Sequence, residues 1–276
     1  METALLNQKY LSQINQIQIS GKNEESLTLK KSGDFWLLYL KKNDSANSLC
    51  TLADGKIINS LLDKACKIRN IYLLSKNPSS YPSFALDDEG AFSLSFFKND
   101  NSLCTKIYFG SSNSLTNRIY FRSQGKENVY ECQNDFSQYL NFESSYWAEG
   151  RILSEIEKIQ KVTGEIKGEV KNSSKENISD FDFRSEKFLS LRHGKIFLRD
   201  SLPLSQPILK IRVEGGNSRL VSLNFYQGEE NLYFYTKNVL PSPEDSQENA
   251  FALYSDNGAY EISQWTYERI KESYNF

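Results

Sequence analysis

The chain has 276 residues, of which 39% are hydrophobic and 25% charged, with a net charge of −2. That length suits about two domains, with cores large enough to fold without metal or disulfide staples. The mild acidity, with no basic block, removes the counterion-release term on which nucleic-acid binding depends, and no apolar run approaches the ~20 residues a membrane-spanning helix needs.

In chain order, the first signal is Leu11-Ser12-Gln13-Ile14-Asn15-Gln16-Ile17-Gln18. Its frame, L-S-x-I-x-x-I-Q, returns as Leu153-Ser154-Glu155-Ile156-Glu157-Lys158-Ile159-Gln160, at a separation of 142 (153 − 11). A repeat at fixed separation predicts one structural unit used twice. Leu27-Thr28-Leu29 then runs through Gly33 to Trp36, and Leu189-Ser190-Leu191 runs through Gly194 to Phe197. Both have the alternation and central glycine of a β-hairpin.

Residues Ala53–Asn70 carry Ile57, Ile58, Leu61, Leu62, Ala65 and Ile68 at i, i+3/i+4 spacing, behind Asp54. This predicts a helix capped by Asp54. The second half offers only the proline-marked Leu202–Pro207 at the matching place, too short for such a helix.

A meander follows in each half. Strands are expected at Ala91–Phe97, Cys104–Phe109, Arg118–Ser123 and Asn128–Cys132, and at Ile208–Glu214, Arg219–Gln227, Asn231–Lys237 and Ala250–Ser255. Ile119-Tyr120-Phe121 and Leu232-Tyr233-Phe234-Tyr235 take the same place in the two series. Each half closes on an Asx pair before apolar residues at helical spacing: Asn134-Asp135 and Asp256-Asn257. Gly164–Asn177 and Lys237–Asn249 read as long polar hairpin loops between strands. The expected fold class is α+β and β-dominated: two tandem repeats, 10–150 and 151–276, each an antiparallel β-meander with a hairpin and one or two short helices.

Residues with chemistry are sparse. His193, the one histidine, falls on an expected hairpin turn, where a side chain is usually solvated. It has no second histidine for a zinc site. Cys50, Cys66, Cys104 and Cys132 form no C-x-x-C pair and all lie in the first half. They read as buried thiols, with three full disulfide pairings open in an oxidising compartment. Asp87-Asp88-Glu89, Asp180 and Asp182 lack EF-hand spacing and read as loop charges. Gly215-Gly216 is a turn, not a phosphate loop, and no G-x-S-x-G elbow occurs. Arg118 and Arg122 are expected to point outward from an aromatic strand. No catalytic, cofactor-binding or metal residue is assigned, no cofactor is expected, and the protein is expected not to be an enzyme.

Leu27-Thr28-Leu29 before Trp36, Ala53-Asp54 opening a helix with Leu61-Leu62, and Phe84-Ala85-Leu86-Asp87 before a strand follow one another as in a known family. Ile107-Tyr108-Phe109-Gly110, Ile119-Tyr120-Phe121 and Trp147 through Arg151-Ile152-Leu153 continue that order. Over roughly residues 15–155 the chain resembles the bacterial domain-of-unknown-function family DUF4340, associated with gliding-motility-type ABC transporters. The family pattern has glycine where Ala85 stands, and prolines where Asp88-Glu89 stand. The resemblance implies a non-catalytic auxiliary component of an ABC-type transport system at the cell envelope. It also implies a location on the periplasmic face of the inner membrane, and a permease, ATPase or related envelope protein as partner. Family members carry an N-terminal anchor, of which this chain shows no apolar stretch, and its first thirty residues lack a signal peptide. The alternative expectation is a soluble ligand-binding protein or enzyme with its site between the two repeats.

Overall fold

The computed structural model describes residues 4–21, 25–41, 48–68, 70–88, 90–154, 156–202, 206–216, 220–239 and 257–276. They divide into two compact units, Met1–Ser48 with Ala53–Glu143, and Leu49–Leu52 with Ser144–Phe276. The second unit therefore takes four residues, Cys50 among them, from inside the first sequence half.

The first unit holds β1 (Ile14–Ser20), β2 (Ser26–Ser32), β3 (Phe35–Lys41), α1 (Gly55–Cys66), β5 (Tyr72–Ser75), β6 (Phe92–Lys98), β7 (Leu103–Asn113), β8 (Arg118–Ser123) and β9 (Val129–Gln133). The segment Leu49–Leu52 is β4 and groups with the second unit. The first unit's strands pair in the order β3-β2-β1-β6-β7-β8-β9-β5, and every pairing is antiparallel. α1 forms where the apolar spacing predicts it. The Asp54 carboxylate accepts the Lys56 and Ile57 amide N–H groups at 2.8 and 3.4 Å, and Ile58, Leu61, Leu62 and Ala65 are buried on one stripe.

The second unit holds α2 (Ser144–Trp147), β10 (Ile159–Ile166), β11 (Glu169–Ser174), α3 (Phe181–Ser190), β12 (Ile196–Leu198), β13 (Leu209–Gly215), β14 (Leu220–Gln227), β15 (Leu232–Val239), β16 (Gly258–Ile262) and α4 (Gln264–Ser273). Its strand order is β11-β10-β13-β14-β15-β16-β12. Setting β3 aside, the first unit's order is β2-β1-β6-β7-β8-β9-β5, which visits its strands in the same sequence. Both sheets also bulge at a matching place. The β1/β6 register shifts between Ile14 and Gln16, and the β10/β13 register shifts between Ile159 and Lys161. The bulge matches Ile17 to Val162, whereas the L-S-x-I-x-x-I-Q frame matches Ile17 to Ile159. Leu153 lies in a turn before β10.

A ladder of rings recurs in both cores. In the first unit, Phe136 stacks on Phe109 at 5.2 Å, Phe109 meets Phe121 at 6.3 Å, and Phe121 stacks on Tyr130 at 5.4 Å. In the second, Tyr267 meets Phe225 at 5.8 Å, Phe225 meets Phe234 at 5.7 Å, and Phe234 stacks on Tyr260 at 5.1 Å. The registers agree: Phe109 pairs with Phe121 and Phe121 with Tyr130, while Phe225 pairs with Phe234 and Phe234 with Tyr260. Cross-strand aromatic pairs add about 0.5–1.5 kcal/mol each beyond the area they bury.

Several sequence expectations give way. The hairpin expected over Leu189–Phe197 is the end of α3, a connection, and β12. Its leucine alternation sits at a helix terminus, and the burying stripe is Phe181, Ser185 and Phe188. The second unit thus has a helix between its second strand and its edge strand, ahead of the proline-marked stretch. The hairpin expected at Gly164–Asn177 is there, but its loop is short: β10 and β11 pair through most of the stretch and close on Lys167 (φ 50) and Gly168 (φ 86), the two positive-φ positions of a tight primed turn. β11 is mostly exposed, so it lacks the apolar alternation that marks a strand. The closing helix α4 is capped by Ser263, whose hydroxyl accepts the Thr266 amide at 3.1 Å, rather than by the Asx pair. Ala250–Ser255 and Leu240–Asn249 lie outside the described residues.

Candidate functional site

His193 sits on the connection from α3 to β12. It is half-buried rather than solvated, with its ring 4.7 Å from that of Tyr260 and 6.4 Å from that of Phe234. Its Nε2 lies 2.8 Å from the Glu149 carbonyl and its Nδ1 lies 2.9 Å from the Gly194 carbonyl. Burial pulls the imidazole below its ordinary value, against the opposing pull of those two carbonyls. The Tyr260 hydroxyl hydrogen-bonds the Thr51 hydroxyl of β4. β4 is tied into this unit by three hydrogen bonds: Glu149 N–H donates to Leu52 at 3.0 Å, Asn257 N–H donates to Cys50 at 3.2 Å, and Cys50 N–H donates to the Asn257 side chain at 2.7 Å.

Beside these groups is a cavity of about 20 Å³, lined in part by Thr51, Glu149, Arg151, His193, Thr236 and Tyr260. That volume holds one water and no substrate. Burial alone would raise the Glu149 carboxyl, but hydrogen bonds from the Arg151 amide (3.0 Å) and guanidinium (3.2 and 3.3 Å) bring it below its ordinary value. His193 has carbonyls on both nitrogens and no carboxylate or nucleophile among its hydrogen-bond partners. A general base needs an orienting group on one nitrogen and a reacting proton on the other. A neutral imidazole carries one N–H, so the ring donates to one of these two carbonyls and is otherwise held by packing against Tyr260.

The other residues with chemistry stand apart. No disulfide joins the four cysteines; Cys50 and Cys132 are buried. Burial pushes the Cys132 thiol up to about 12 and raises Cys66 and Cys104, which keeps them as thiols near neutrality. Asp180 pairs with Arg184 at 2.7 Å and Asp182 with Lys175 at 2.5 Å. Glu89 lies outside the described residues. Among the described residues, no group of three or more His, Cys, Asp or Glu side chains is placed to hold a metal ion. No described helix is long and apolar enough to cross a membrane.

Sequence reasoning misplaces Arg122. The side chain is buried, at 7% exposure, and not turned outward. Its Nε donates to the Leu86 carbonyl at 2.8 Å, its terminal nitrogen pairs with Asp88, and its guanidinium lies 3.9 Å from the Tyr108 ring centroid and 4.6 Å from that of Tyr81. The loop so fastened carries Ala85 at φ 52, ψ 43, the left-handed region that favours glycine. It presses so closely on β7 that a Cβ at Gly110 would fall 2.0 Å from the Phe84 carbonyl oxygen. The loop buries Leu86 against Tyr108 and Val129, with Tyr81, Phe84 and Tyr120 around it. A single-residue left-handed turn followed by a buried leucine is the physical content of Phe84-Ala85-Leu86-Asp87.

A family model described as "Domain of unknown function (DUF4340)" matches residues 46–186, just over half of the chain, from β4 through most of α3. No curated protein and no solved structure matches.

Proposed function

The chain belongs to the DUF4340 family, and from that premise we propose that it is a non-catalytic auxiliary protein of an ABC-type transport system, working beside the permease and ATPase on the periplasmic face of the inner membrane. The observation that carries the reading is β5. This strand ends the first unit's sheet, paired on one side to β9. Its Tyr72, Leu73 and Leu74 are 50%, 46% and 41% exposed. Edge strands left to solvent are usually blunted by charge or proline, because a row of open backbone groups templates pairing. β5 presents apolar side chains on both faces instead, which suits an edge that receives a strand or loop from another protein. The matching strand order of the two sheets further supports one rigid module used twice as a scaffold. Purification of the full-length protein from detergent-solubilised native membranes tests the reading. An ABC permease in the eluate supports it, and repeated recovery without permease or ATPase counts against it.

A further inference from the structure

We propose that the first unit binds a phosphate-bearing ligand in a cleft unrelated to the β5 edge. The cleft is about 870 Å³ and opens between the N-terminal segment and the strands β7 and β8. Lys106 and Lys126 line it, with Gln8, Thr105, Ser123 and Gln124 as neutral hydrogen-bonding groups, and among the described residues its lining contains neither Asp nor Glu. On its wall, the Tyr10 ring carries two ammonium groups, with Lys9 Nζ at 4.7 Å from the centroid and Lys98 Nζ at 4.6 Å. Lys106 Nζ lies 4.8 Å from the Tyr108 ring, which also takes Arg122.

Arg122 is neutralised by Asp88, but Lys9, Lys98 and Lys106 have no carboxylate within ion-pair distance among the described residues. Asp100, fully exposed and hydrogen-bonded by Ser102, acts on Lys98 only through space, and Asp63 pairs with Lys67. Two like charges on one ring repel each other, and an anion bound beside them lowers that repulsion. The cations are lysines, compact point charges without the planar fork by which arginine grips a carboxylate. A tetrahedral, multiply charged phosphate accepts from such a set at any angle. The amide and hydroxyl groups beside them serve the rest of the ligand.

Calorimetric titration with pyrophosphate, and flotation with vesicles of phosphatidylcholine and phosphatidylglycerol, test the site on the whole chain. Saturable binding of pyrophosphate assigns a free phosphate solute, and binding to the anionic vesicles alone assigns a lipid headgroup. In either case the Lys9→Gln/Lys98→Gln/Lys106→Gln variant, altered only at surface cations, binds about tenfold or more weakly with an unchanged circular dichroism spectrum. Malonate binds far more weakly than pyrophosphate. The proposal is overturned if neither phosphate probe binds, if the triple variant binds as the parent does, or if malonate equals pyrophosphate. These outcomes are independent of whether an ABC permease co-purifies.

Discussion

Tyr130 and Tyr260 hold the same place in two different sheets. Each is stacked on a phenylalanine of the neighbouring strand, Phe121 or Phe234, and each is followed by a glutamate, Glu131 or Glu261, opposite a tyrosine, Tyr120 or Tyr233. Their hydroxyls differ. Tyr130 accepts from the Asn128 side chain at 2.9 Å, whereas Tyr260 meets the buried Thr51 hydroxyl. Tyr260→Phe keeps the ring and strands Thr51, so it is expected to destabilise by about 1–2 kcal/mol. Tyr130→Phe leaves a half-exposed amide that water re-satisfies, and is expected to lose about 0.5 kcal/mol or less. Urea denaturation of both variants checks the difference.

Ala85 adopts φ 52 without being glycine. An L-residue there is strained by about 1–2 kcal/mol, part of which is offset because glycine gains unfolded-state entropy. Ala85→Gly is therefore expected to stabilise the protein, by up to about 1 kcal/mol, seen as a higher denaturant midpoint at unchanged slope.

The imidazole of His193 is pulled below its usual 6.5 by burial. A depressed folded-state pKa contributes stability that is fully present above the unfolded value and is lost as pH falls through the folded one. Between pH 7.5 and 5, the parent is expected to lose more stability than a His193→Gln variant. Denaturation midpoints at four or five pH values, with NMR titration of the single histidine, measure this.

The second unit depends on β4, whose backbone bonds to Glu149 and Asn257 and whose Thr51 meets Tyr260. A fragment of residues 144–276 lacks that segment, leaving Tyr260 and the Glu149 and Asn257 amides without it. It is expected to unfold at lower denaturant than a version with residues 48–53 joined through a flexible linker. Equal midpoints for the two fragments would contradict the assignment of β4 to this unit.

How much of this was legible depends on what each residue faces. The four strands of the first meander, β13, β14 and β15 of the second, the capped helix α1 and the equivalence of Ile119-Tyr120-Phe121 with Leu232-Tyr233-Phe234 follow from alternation and spacing, because those residues are buried on one face, whereas β16 lies where the sequence after Asp256-Asn257 reads as helical spacing. β11 is not legible, since an exposed edge strand of Glu, Lys, Asn and Ser has no buried face to write a period. α3 is masked by two leucines that alternate at its end, while its inward stripe includes the polar Ser185. The repeat frame around Leu11 and Leu153 finds the right strands three residues out of register, because the bulge that sets the register carries no sequence signature of its own. His193 and Arg122 read as solvated because their carbonyl and ring partners come from segments distant in sequence: Glu149 for one, Leu86 and Tyr108 for the other.

The central functional claim concerns the edge of β5, and site-specific photo-crosslinking tests it most directly. A crosslinking amino acid placed at Leu73, 46% exposed on that edge, is introduced into the full-length protein in its native cells and activated before lysis. The account predicts a covalent adduct with a permease or ATPase subunit of an ABC transporter, absent when the same group replaces Leu115, which is 95% exposed on the β7/β8 connection. Adducts of the same kind from both positions, or none from Leu73 while the protein is folded and abundant, would contradict it.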